Sequence, residues 1–290
     1  RSLCPDFRNM TVRRSLRQVI SRLNIAGISN PSQEAKWMYD FSVSQGINHN
    51  RLVEDRLSGM PLQFVLGSQP FLDHEIECRP PQLIPRPETE EWCSWLIGLL
   101  NSSKEGPHGI LEIGHGTGCI GLSLADQVPT SHVIGIDSSI DAVHLANHNK
   151  KSNGVSRAEF HHISILSKDW EKAVLNLNSN QRYGLLVSNP PYIPVHEWHS
   201  LDQSIRQWES PTSLCSGHLG LDLLRLIISS SRRLLEPKTG VNCRPSILLE
   251  FGHEFQRVTL TRLLNDAGFV NIKSHRDFAC RSRWISADLY

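Results

Sequence analysis

Apolar residues follow a helical spacing in the first part of the chain. From Thr11 to about Leu57 they recur every three or four positions, and Pro31 and Gly46 interrupt the pattern. Two sets carry this spacing: Val12, Leu16, Val19, Ile20 and Leu23, and then Ala35, Trp37, Met38 and Phe41. The pattern predicts a small, all-helical domain over residues 1–60.

Prolines dominate the next stretch, residues 61–91. They are Pro61, Pro70, Pro80, Pro81, Pro85 and Pro87. Each one fixes φ and removes a backbone donor, so a long helix cannot form here. The short β-like pieces Phe64–Leu66 and Glu75–Cys78 predict a linker that contains a β-hairpin.

From residue 92 onward, short apolar strands alternate with helical stretches. We predict strands at Ile110–Ile113, Val133–Ile136, Phe160–Ile165, Leu185–Val187 and Ile247–Phe251. Such alternation is typical of βαβ units. We therefore predict an α/β fold over residues 92–290, with a mostly parallel, doubly wound, Rossmann-like sheet.

Composition narrows the class of protein. The 290 residues carry 30 Lys and Arg against 29 Asp and Glu, and 39% are hydrophobic, which excludes wholesale disorder and shows no basic excess for nucleic acid. The seven cysteines form no C-x-x-C pair, so we expect reduced thiols and no metal site. No apolar run approaches the roughly 20 residues that cross a bilayer, so we expect no membrane partner.

Arginine is concentrated in the first 30 residues. This stretch holds six Arg and one acid, Asp6, with serines between them, and the chain starts with Arg rather than Met. Acid-poor sequences with Arg and Ser resemble the remnant of an organellar transit peptide, which predicts the mitochondrial matrix. A solvated helix face in a cytoplasmic protein explains the composition equally well.

A glycine-rich turn follows the first predicted strand of the α/β domain. We call Gly114, His115, Gly116, Thr117 and Gly118 the glycine turn. Glycines let the backbone turn sharply and let a ligand approach the main chain closely. The turn therefore predicts a site for a nucleotide-like cofactor.

Two acidic residues accompany the glycine turn. Glu112 offers a carboxylate to a cationic amino group, and Asp137 ends the next strand, where an acid can hold a ribose diol. With no phosphate-binding lysine in the turn, this set suits S-adenosylmethionine. Glycine spacing alone still permits NAD, because Gly116, Gly118 and Gly121 satisfy the dinucleotide pattern.

The strand predicted at Leu185–Val187 leads into Asn189, Pro190, Pro191 and Tyr192. Open α/β sheets bind ligands at the carboxyl ends of their strands, so we expect this element and the glycine turn to face one cleft. Methyl transfer to a planar amide or amino nitrogen is difficult because its lone pair is delocalised. The Asn189 side-chain oxygen and the Pro190 carbonyl can accept both N–H bonds of that nitrogen, and the prolines hold these acceptors rigid. Tyr192 can stack on the flat face of the acceptor group. Hydride transfer has no use for such a clamp, so this tetrapeptide favours a methyltransferase over an NAD enzyme. We predict Asn189, Pro190 and Tyr192 as catalytic and all four residues as substrate-binding.

Residues 60–290 resemble the protein-(glutamine-N5) methyltransferases of the HemK/PrmC type, which methylate the glutamine of the Gly-Gly-Gln motif in peptide chain release factors. Besides Asn189–Tyr192, the resemblance rests on Met60–Gly67, Leu83–Glu90, Trp208–Thr212, Leu248–Gly252 and Arg276–Phe278. The segment Leu83–Glu90 discriminates best, since many other amino-methyltransferases share Asn-Pro-Pro-Tyr without it.

The resemblance implies a class I methyltransferase domain with S-adenosylmethionine as cofactor and a release factor as partner. It implies that helical residues 1–60 contact the release factor. It also implies that Gly114–Gly118, Asp137 and Asn189 hold the cofactor, while Asn189–Tyr192 hold the glutamine.

Departures from the family pattern concern the walls of the site. Leu83 stands where some relatives have an aromatic residue. The acidic-then-bulky pair expected near the adenine falls on Ser164 and Ile165, and Asp169–Trp170 offers a similar pair further along. We predict Ile165 as the adenine wall, with Trp170 as the alternative.

Two other functions compete with this one. A nucleic-acid adenine-N6 methyltransferase would present the same planar nitrogen, but the chain after residue 60 is slightly acidic, and we expect no direct nucleic-acid contact. A non-catalytic release-factor- or ribosome-binding module with a decayed site is the third possibility. The intact Asn189–Tyr192 element disfavours decay.

Overall fold

The computed structural model describes residues 5–103, 106–107, 109–239 and 244–290, with side chains from residue 15 onward. The chain forms two compact units, residues 1–68 with 202–208 and residues 69–201 with 209–290. The segment 202–208, which lies inside the predicted α/β domain, therefore belongs to the first unit.

The helices are α1 Pro5–Ile25, α2 Pro31–Gln45, α3 His49–Leu57, α4 Leu62–Leu66, α5 Pro87–Ser102, α6 Cys119–Gln127, α7 Ile140–Ser152, α8 Trp170–Leu177, α9 Gln203–Trp208, α10 Pro211–Leu214, α11 Asp222–Leu234 and α12 Glu254–Asp266. The strands are β1 Ser68–Phe71, β2 His74–Glu77, β3 Gly109–Ile113, β4 His132–Asp137, β5 Ala158–His162, β6 Leu185–Ser188, β7 Ile247–Glu250, β8 Phe269–Arg276 and β9 Ser282–Leu289. A 3₁₀ turn covers Val195–Ser200.

The first unit is helical, as the apolar spacing predicts. Helix α2 begins at Pro31, whose missing N–H costs nothing in a first turn, and Gly46, in the left-handed region, caps its C-terminal end. The apolar faces of α1 to α4 meet in one core around Val19, Leu23, Ala35, Met38, Leu52, Val53 and Val65. Arg56 pairs with Glu34 at 2.6 Å beside this core. No helix in the described parts of either unit has the length and apolar content needed to cross a bilayer.

The β-like assignment of Phe64–Leu66 is wrong, because these residues lie in α4. The Pro61 carbonyl accepts from the backbone N–H groups of Phe64 and Val65, which closes a helical turn. Gly67, at φ +80°, then ends the helix. A three-residue apolar run carries no period, so the flanking Pro and Gly decide its conformation.

The predicted hairpin is present as the two-stranded sheet of β1 and β2, but its first strand lies at Ser68–Phe71 and not at Phe64–Leu66. The predicted α/β sheet is also confirmed. Its seven strands lie in the order β5-β4-β3-β6-β7-β9-β8. The first five strands in this order are parallel, and β9 is antiparallel to both β7 and β8. Side chains alternate between the two faces of β3, so Ile110 joins one core and Leu111 the other.

Two predicted strands run too far. Strand β7 stops at Glu250, one residue early, and β5 stops at His162, not Ile165. The Ser164 hydroxyl accepts from the backbone N–H of Leu166, and the Ser164 carbonyl accepts from that of Ser167. This local turn ends the strand before Ile165.

Candidate functional site

The site forms where the strand order of the sheet reverses. Strand β3 pairs with β4 on one side and β6 on the other, and Ile113 lies opposite both Ile136 and Ser188. The residues that come next in the chain, Gly114, Asp137 and Asn189, therefore lie together at one edge of the sheet. The Ser188 hydroxyl donates to the Ile113 carbonyl at 2.6 Å, which ties β6 to β3 beside this edge.

A cavity of about 510 Å³ opens at this edge. Its lining includes seven predicted site residues: Gly114, Gly116, Asp137, Ile165, Asn189, Pro190 and Pro191. The glycine turn and the Asn-Pro-Pro-Tyr element therefore face one cleft, as predicted. Five predicted residues lie outside the lining: Glu112, His115, Thr117, Gly118 and Tyr192.

Gly114 and Gly116 present bare backbone to the cavity. Their φ angles are +73° and +52°, and no described atom lies within 4 Å of the position that a Cβ would take. Asp137 holds this conformation, because one carboxylate oxygen accepts from the Gly116 N–H at 3.0 Å and the other from Ser139 N–H at 2.9 Å. Each oxygen keeps a second lone pair for a ligand hydroxyl.

Gly118 is needed for packing. At φ +82°, a Cβ here would lie 2.9 Å from the Ala146 Cβ and 3.0 Å from the Phe160 ring. Gly118 therefore allows the start of α6 to approach α7 and β5 closely.

The side chains of His115 and Thr117 are buried and do not line the cavity. The His115 ring is buried against Phe160, at 4.8 Å between centroids, and burial lowers the pKa of the imidazole. The Asn149 side-chain amide donates to the carbonyls of Thr117 at 3.0 Å and Glu77 at 3.1 Å, which fastens the turn to β2. Sequence reasoning missed Asn149, since a single Asn in a helix gives no signal.

The structure places Glu112 away from the cavity, contrary to its predicted role. Its side chain is fully buried on the face of β3 toward α6, where a Cβ on Gly121 would lie 2.4 Å from Oε2. Burial raises the pKa of this carboxyl well above its usual range, and the Gly121 backbone N–H offsets only part of that shift. Ile113, one residue later, faces the cavity, because successive strand residues point to opposite sides.

Ile165 and Trp170 have different positions. Ile165 and its neighbour Ser164 line the cavity. Trp170 is buried in the core beneath β3 and β4, at the start of α8. Of the two predicted candidates, only Ile165 is placed to contact a ligand in the cavity.

A second, smaller cavity of about 30 Å³ adjoins the first. It is lined by Leu83, Arg86, Asn189, Pro190, Pro191, Tyr192, Ser213 and Leu214, and five of these, Leu83, Asn189, Pro190, Pro191 and Ser213, also line the large cavity. Asn189 and Pro190 therefore lie at the junction between a wide and a narrow space.

Tyr192 is fixed at both its carbonyl and its hydroxyl. The Gln256 side-chain amide donates to the Tyr192 carbonyl at 2.7 Å, and the phenol donates to Glu250 at 3.2 Å. A Cβ on Gly252 would lie 2.8 Å from the Tyr192 ring, so glycine gives the ring its space. Burial and the Glu250 carboxylate raise the pKa of the phenol, which keeps it neutral.

Residues of the segment 83–90 connect the elements around the narrow cavity. Arg86 pairs with the buried Glu209 through both carboxylate oxygens, at 2.7 and 2.8 Å. Glu90 accepts from the Leu72 backbone N–H, and Glu88 accepts from Arg281. These contacts give a physical reason for a motif that the sequence alone marks only as distinctive.

A buried chain of hydrogen bonds lies behind Asn189. The Asn189 amide donates to the Thr89 hydroxyl at 3.0 Å, and Thr89 donates to Glu250 Oε2 at 2.8 Å. Trp92 Nε1 donates to the same oxygen at 2.7 Å. Burial raises the pKa of Glu250, and hydrogen bonds from Trp92, Thr89 and Tyr192 oppose that shift. Thr89 and Glu250 lie in recognised motifs, but only the fold brings them together.

The described residues contain no group of three or more His, Cys, Asp or Glu that could hold a metal ion. The cysteines at 78, 93, 119, 215 and 280 are free thiols, and Cys4 and Cys243 lie outside the described residues.

This chain is similar to known proteins in both sequence and fold. The model of the Methyltransferase small domain family matches residues 94–207. The release factor glutamine methyltransferase of Aliivibrio fischeri is 31% identical over 237 residues, covering 81% of this chain and 76% of that protein. The human MTRF1L release factor glutamine methyltransferase is 32% identical over 259 residues, covering 87% and 74%. The catalytic domain of human Mettl16, solved with an RNA hairpin, has a TM-score of 0.58 at 17% identity, over 81% of this chain and 82% of that one, and shares the fold.

Proposed function

The chain belongs to the release factor glutamine methyltransferase family, and we propose that it methylates the side-chain amide nitrogen of the glutamine in the Gly-Gly-Gln motif of a peptide chain release factor. Its methyl donor is S-adenosylmethionine. The observation that carries the proposal is the position of Asn189 and Pro190, which line both the large cavity and the narrow one.

The large cavity suits S-adenosylmethionine. Its volume lies in the usual range for small-molecule sites, about 300–1,000 Å³. Gly114 and Gly116 leave room for close approach to the main chain, Asp137 has free lone pairs for a ribose diol, and Ile165 supplies an apolar surface for adenine. When bound, S-adenosylmethionine supplies an electrophilic methyl group.

The narrow cavity would hold the glutamine amide. Two acceptors are needed to orient its two N–H bonds, and the Asn189 side-chain oxygen and the Pro190 carbonyl supply them. Both acceptors also stabilise the positive charge that develops on nitrogen during attack. Tyr192, held by Glu250 and Gln256, supplies a flat apolar wall. Methylation first gives a positively charged amide nitrogen with two protons, which is a strong acid. Water can accept one of these protons, which leaves the neutral N-methyl amide.

The test is a methylation assay with purified components. The protein is incubated with isotope-labelled S-adenosylmethionine and a release factor, and the Gly-Gly-Gln peptide is analysed by mass spectrometry. We expect one added methyl group on the glutamine. A release factor with that glutamine replaced by alanine is the matched control. An unmodified glutamine, under conditions where calorimetry shows the cofactor bound, would refute the proposal. A duplex DNA substrate in the same assay tests the adenine-N6 alternative.

The first unit is proposed to contact the release factor. Among its described side chains, the large apolar groups Ile25, Trp37, Val43 and Ile47 are exposed, and exposed apolar groups suit a protein partner. We expect Trp37→Ala to raise KM for the release factor and leave S-adenosylhomocysteine affinity unchanged. An unchanged KM would exclude Trp37 from the contact.

We also propose a mitochondrial location for the protein. It rests on the six arginines and single acid of residues 1–30, and the side chains of residues 1–14 lie outside the described part of the chain. Imaging a tagged full-length precursor in cells tests it, and a diffuse cytoplasmic signal would exclude it.

A further inference from the structure

The amide of Asn189 must face the substrate with its oxygen. An amide side chain is nearly symmetric in shape, and a rotation of half a turn would present the NH₂ group instead. The NH₂ group would repel the N–H bonds of a glutamine amide. Something in the protein must therefore set the direction of this amide.

Thr89 is in a position to set that direction. Its hydroxyl has one proton, which it donates in a hydrogen bond to Glu250 Oε2 at 2.8 Å. The Thr89 oxygen can then only accept from Asn189, which lies 3.0 Å away, so Asn189 must turn its NH₂ group toward Thr89. The Thr89 side chain is buried, with 2% of its surface exposed.

Glu250 in turn makes Thr89 a donor. Its Oε2 also receives the Trp92 indole N–H at 2.7 Å, and an indole nitrogen can only donate. A carboxylate oxygen can only accept, so Oε2 receives hydrogen bonds from both Trp92 and Thr89. Strands β6 and β7 place Glu250 beside Asn189, because Ser188 lies opposite Leu249 in the parallel ladder.

We propose that Glu250 and Thr89 are positioning residues which set the hydrogen-bond polarity of Asn189, so that its amide oxygen faces the glutamine amide. The inference rests on the proposed function for its substrate. In this chain Trp92 and Thr89 donate to Glu250, and Asn189 donates to Thr89.

The chain offers isosteric substitutions that separate polarity from packing. Thr89→Val keeps the shape of the side chain and removes the acceptor for Asn189, so both amide directions become accessible. Thr89→Ser restores the hydroxyl. Thr259→Val is the matched control, because the Thr259 hydroxyl is exposed on α12 and bonds only within its own helix among the described residues.

Glu250→Gln tests the role of the acceptor apart from its charge. The Trp92 N–H would hold the amide oxygen of the new side chain at the Oε2 position, and its NH₂ group would face the Tyr192 hydroxyl, which can accept. Thr89 would still donate. We therefore expect Glu250→Gln to lose less kcat than Thr89→Val, and an equal or greater loss would overturn the proposal.

The experiment measures kcat and KM for release-factor methylation in these variants. We expect Thr89→Val to lower kcat about tenfold, as for partial loss of one oriented partner, with S-adenosylhomocysteine affinity unchanged by calorimetry. Thr89→Ser should recover most of the loss, and Thr259→Val should match the wild type. Wild-type kcat in Thr89→Val, or an equal loss in Thr89→Ser, would overturn the proposal.

A direct readout of polarity uses a release factor with glutamate in place of the methylated glutamine. A carboxylate has no N–H, so Asn189 disfavours it when the oxygen faces the cavity and favours it when the NH₂ group does. We expect the ratio of its inhibition constant to the KM of the normal substrate to fall about tenfold in Thr89→Val. A merely structural role of Thr89 would leave this ratio unchanged.

Two further comparisons keep the test decisive. If Thr89→Val does not fold, the double variant Glu250→Gln/Trp92→Phe replaces it. Without the indole N–H, the new side-chain amide can rotate and donate from its NH₂ group to the Thr89 oxygen. The Thr89 hydroxyl would then donate to Asn189, which would turn its amide oxygen toward Thr89. We expect the double variant to lose more kcat than the two single variants together, and additive effects would overturn the proposal. A wild-type protein that leaves the glutamine unmodified would instead refute the proposed function.

Discussion

Gly116 and Gly118 belong to one turn, yet the structure gives them different tasks. Gly116 lines the cavity with open space around its missing Cβ, while Gly118 contacts Ala146 and Phe160. Alanine substitution at each position should therefore damage different properties. Gly154, at φ +68° with no described atom near its missing Cβ, provides the matched control for backbone strain alone.

The cost of each substitution can be worked from this geometry. An L-residue in the left-handed region costs roughly 1–2 kcal/mol, which applies to Gly154→Ala and Gly116→Ala alike. Gly118→Ala adds a Cβ at 2.9 Å from Ala146 Cβ and 3.3 Å from its backbone Cα, so the neighbour cannot move aside easily. Overpacking of this kind costs about 1–3 kcal/mol, and we expect a total loss of about 2–5 kcal/mol for Gly118→Ala.

Urea unfolding followed by circular dichroism gives the free energies, and calorimetry with S-adenosylhomocysteine gives the affinities. We expect Gly116→Ala to lose cofactor affinity while its stability matches Gly154→Ala. Equal stability of Gly118→Ala and Gly154→Ala, or wild-type affinity of Gly116→Ala for S-adenosylhomocysteine, would refute these different roles of the two glycines.

Other substitutions test the remaining parts of the site. Asn189→Ala should raise the barrier by about 2.7–4 kcal/mol, a loss of about 10²–10³ in kcat, with unfolding unchanged in urea. Asp137→Ala should weaken cofactor binding by about 1.5–3 kcal/mol in calorimetry, because it removes a charged acceptor. Ile165→Ala should weaken the same binding roughly tenfold through lost apolar contact, and equal affinity would place adenine elsewhere. Glu112→Gln should leave that affinity unchanged. Burial raises the Glu112 pKa above its unfolded value, so the free energy of unfolding of the wild type should fall as pH rises above about 4.3. In urea unfolding at several pH values, Glu112→Gln should show a weaker dependence of this free energy on pH.

Local pattern in the sequence determined the helical first unit, the five parallel strands and much of the candidate site. Strand alternation with helices predicts the parallel sheet, and parallel strands that end together predict that Gly114, Asp137 and Asn189 share one edge. These predictions hold because each depends on residues close in the chain and on a general rule for open sheets.

Side-chain direction at single positions needed more than that pattern. Glu112 is one residue before Ile113, and the sequence marks both as strand residues beside the glycine turn. Only the packing of α6 against β3 decides that Ile113 meets the cavity and Glu112 meets Gly121. The same holds for Ile165 and Trp170, where a Ser164 turn fixes which side chain reaches the cavity.

Contacts between distant segments belong to the tertiary structure alone. Thr89, Asn189 and Glu250 come from three separate elements, and their hydrogen bonds join positions 100 and 161 residues apart. A hydrogen bond depends on distance and direction in space, which residue type and spacing do not encode. The amino-acid sequence therefore determined which chemistry was available at the end of β6, and the packing of α5, β6 and β7 decided how that chemistry is oriented.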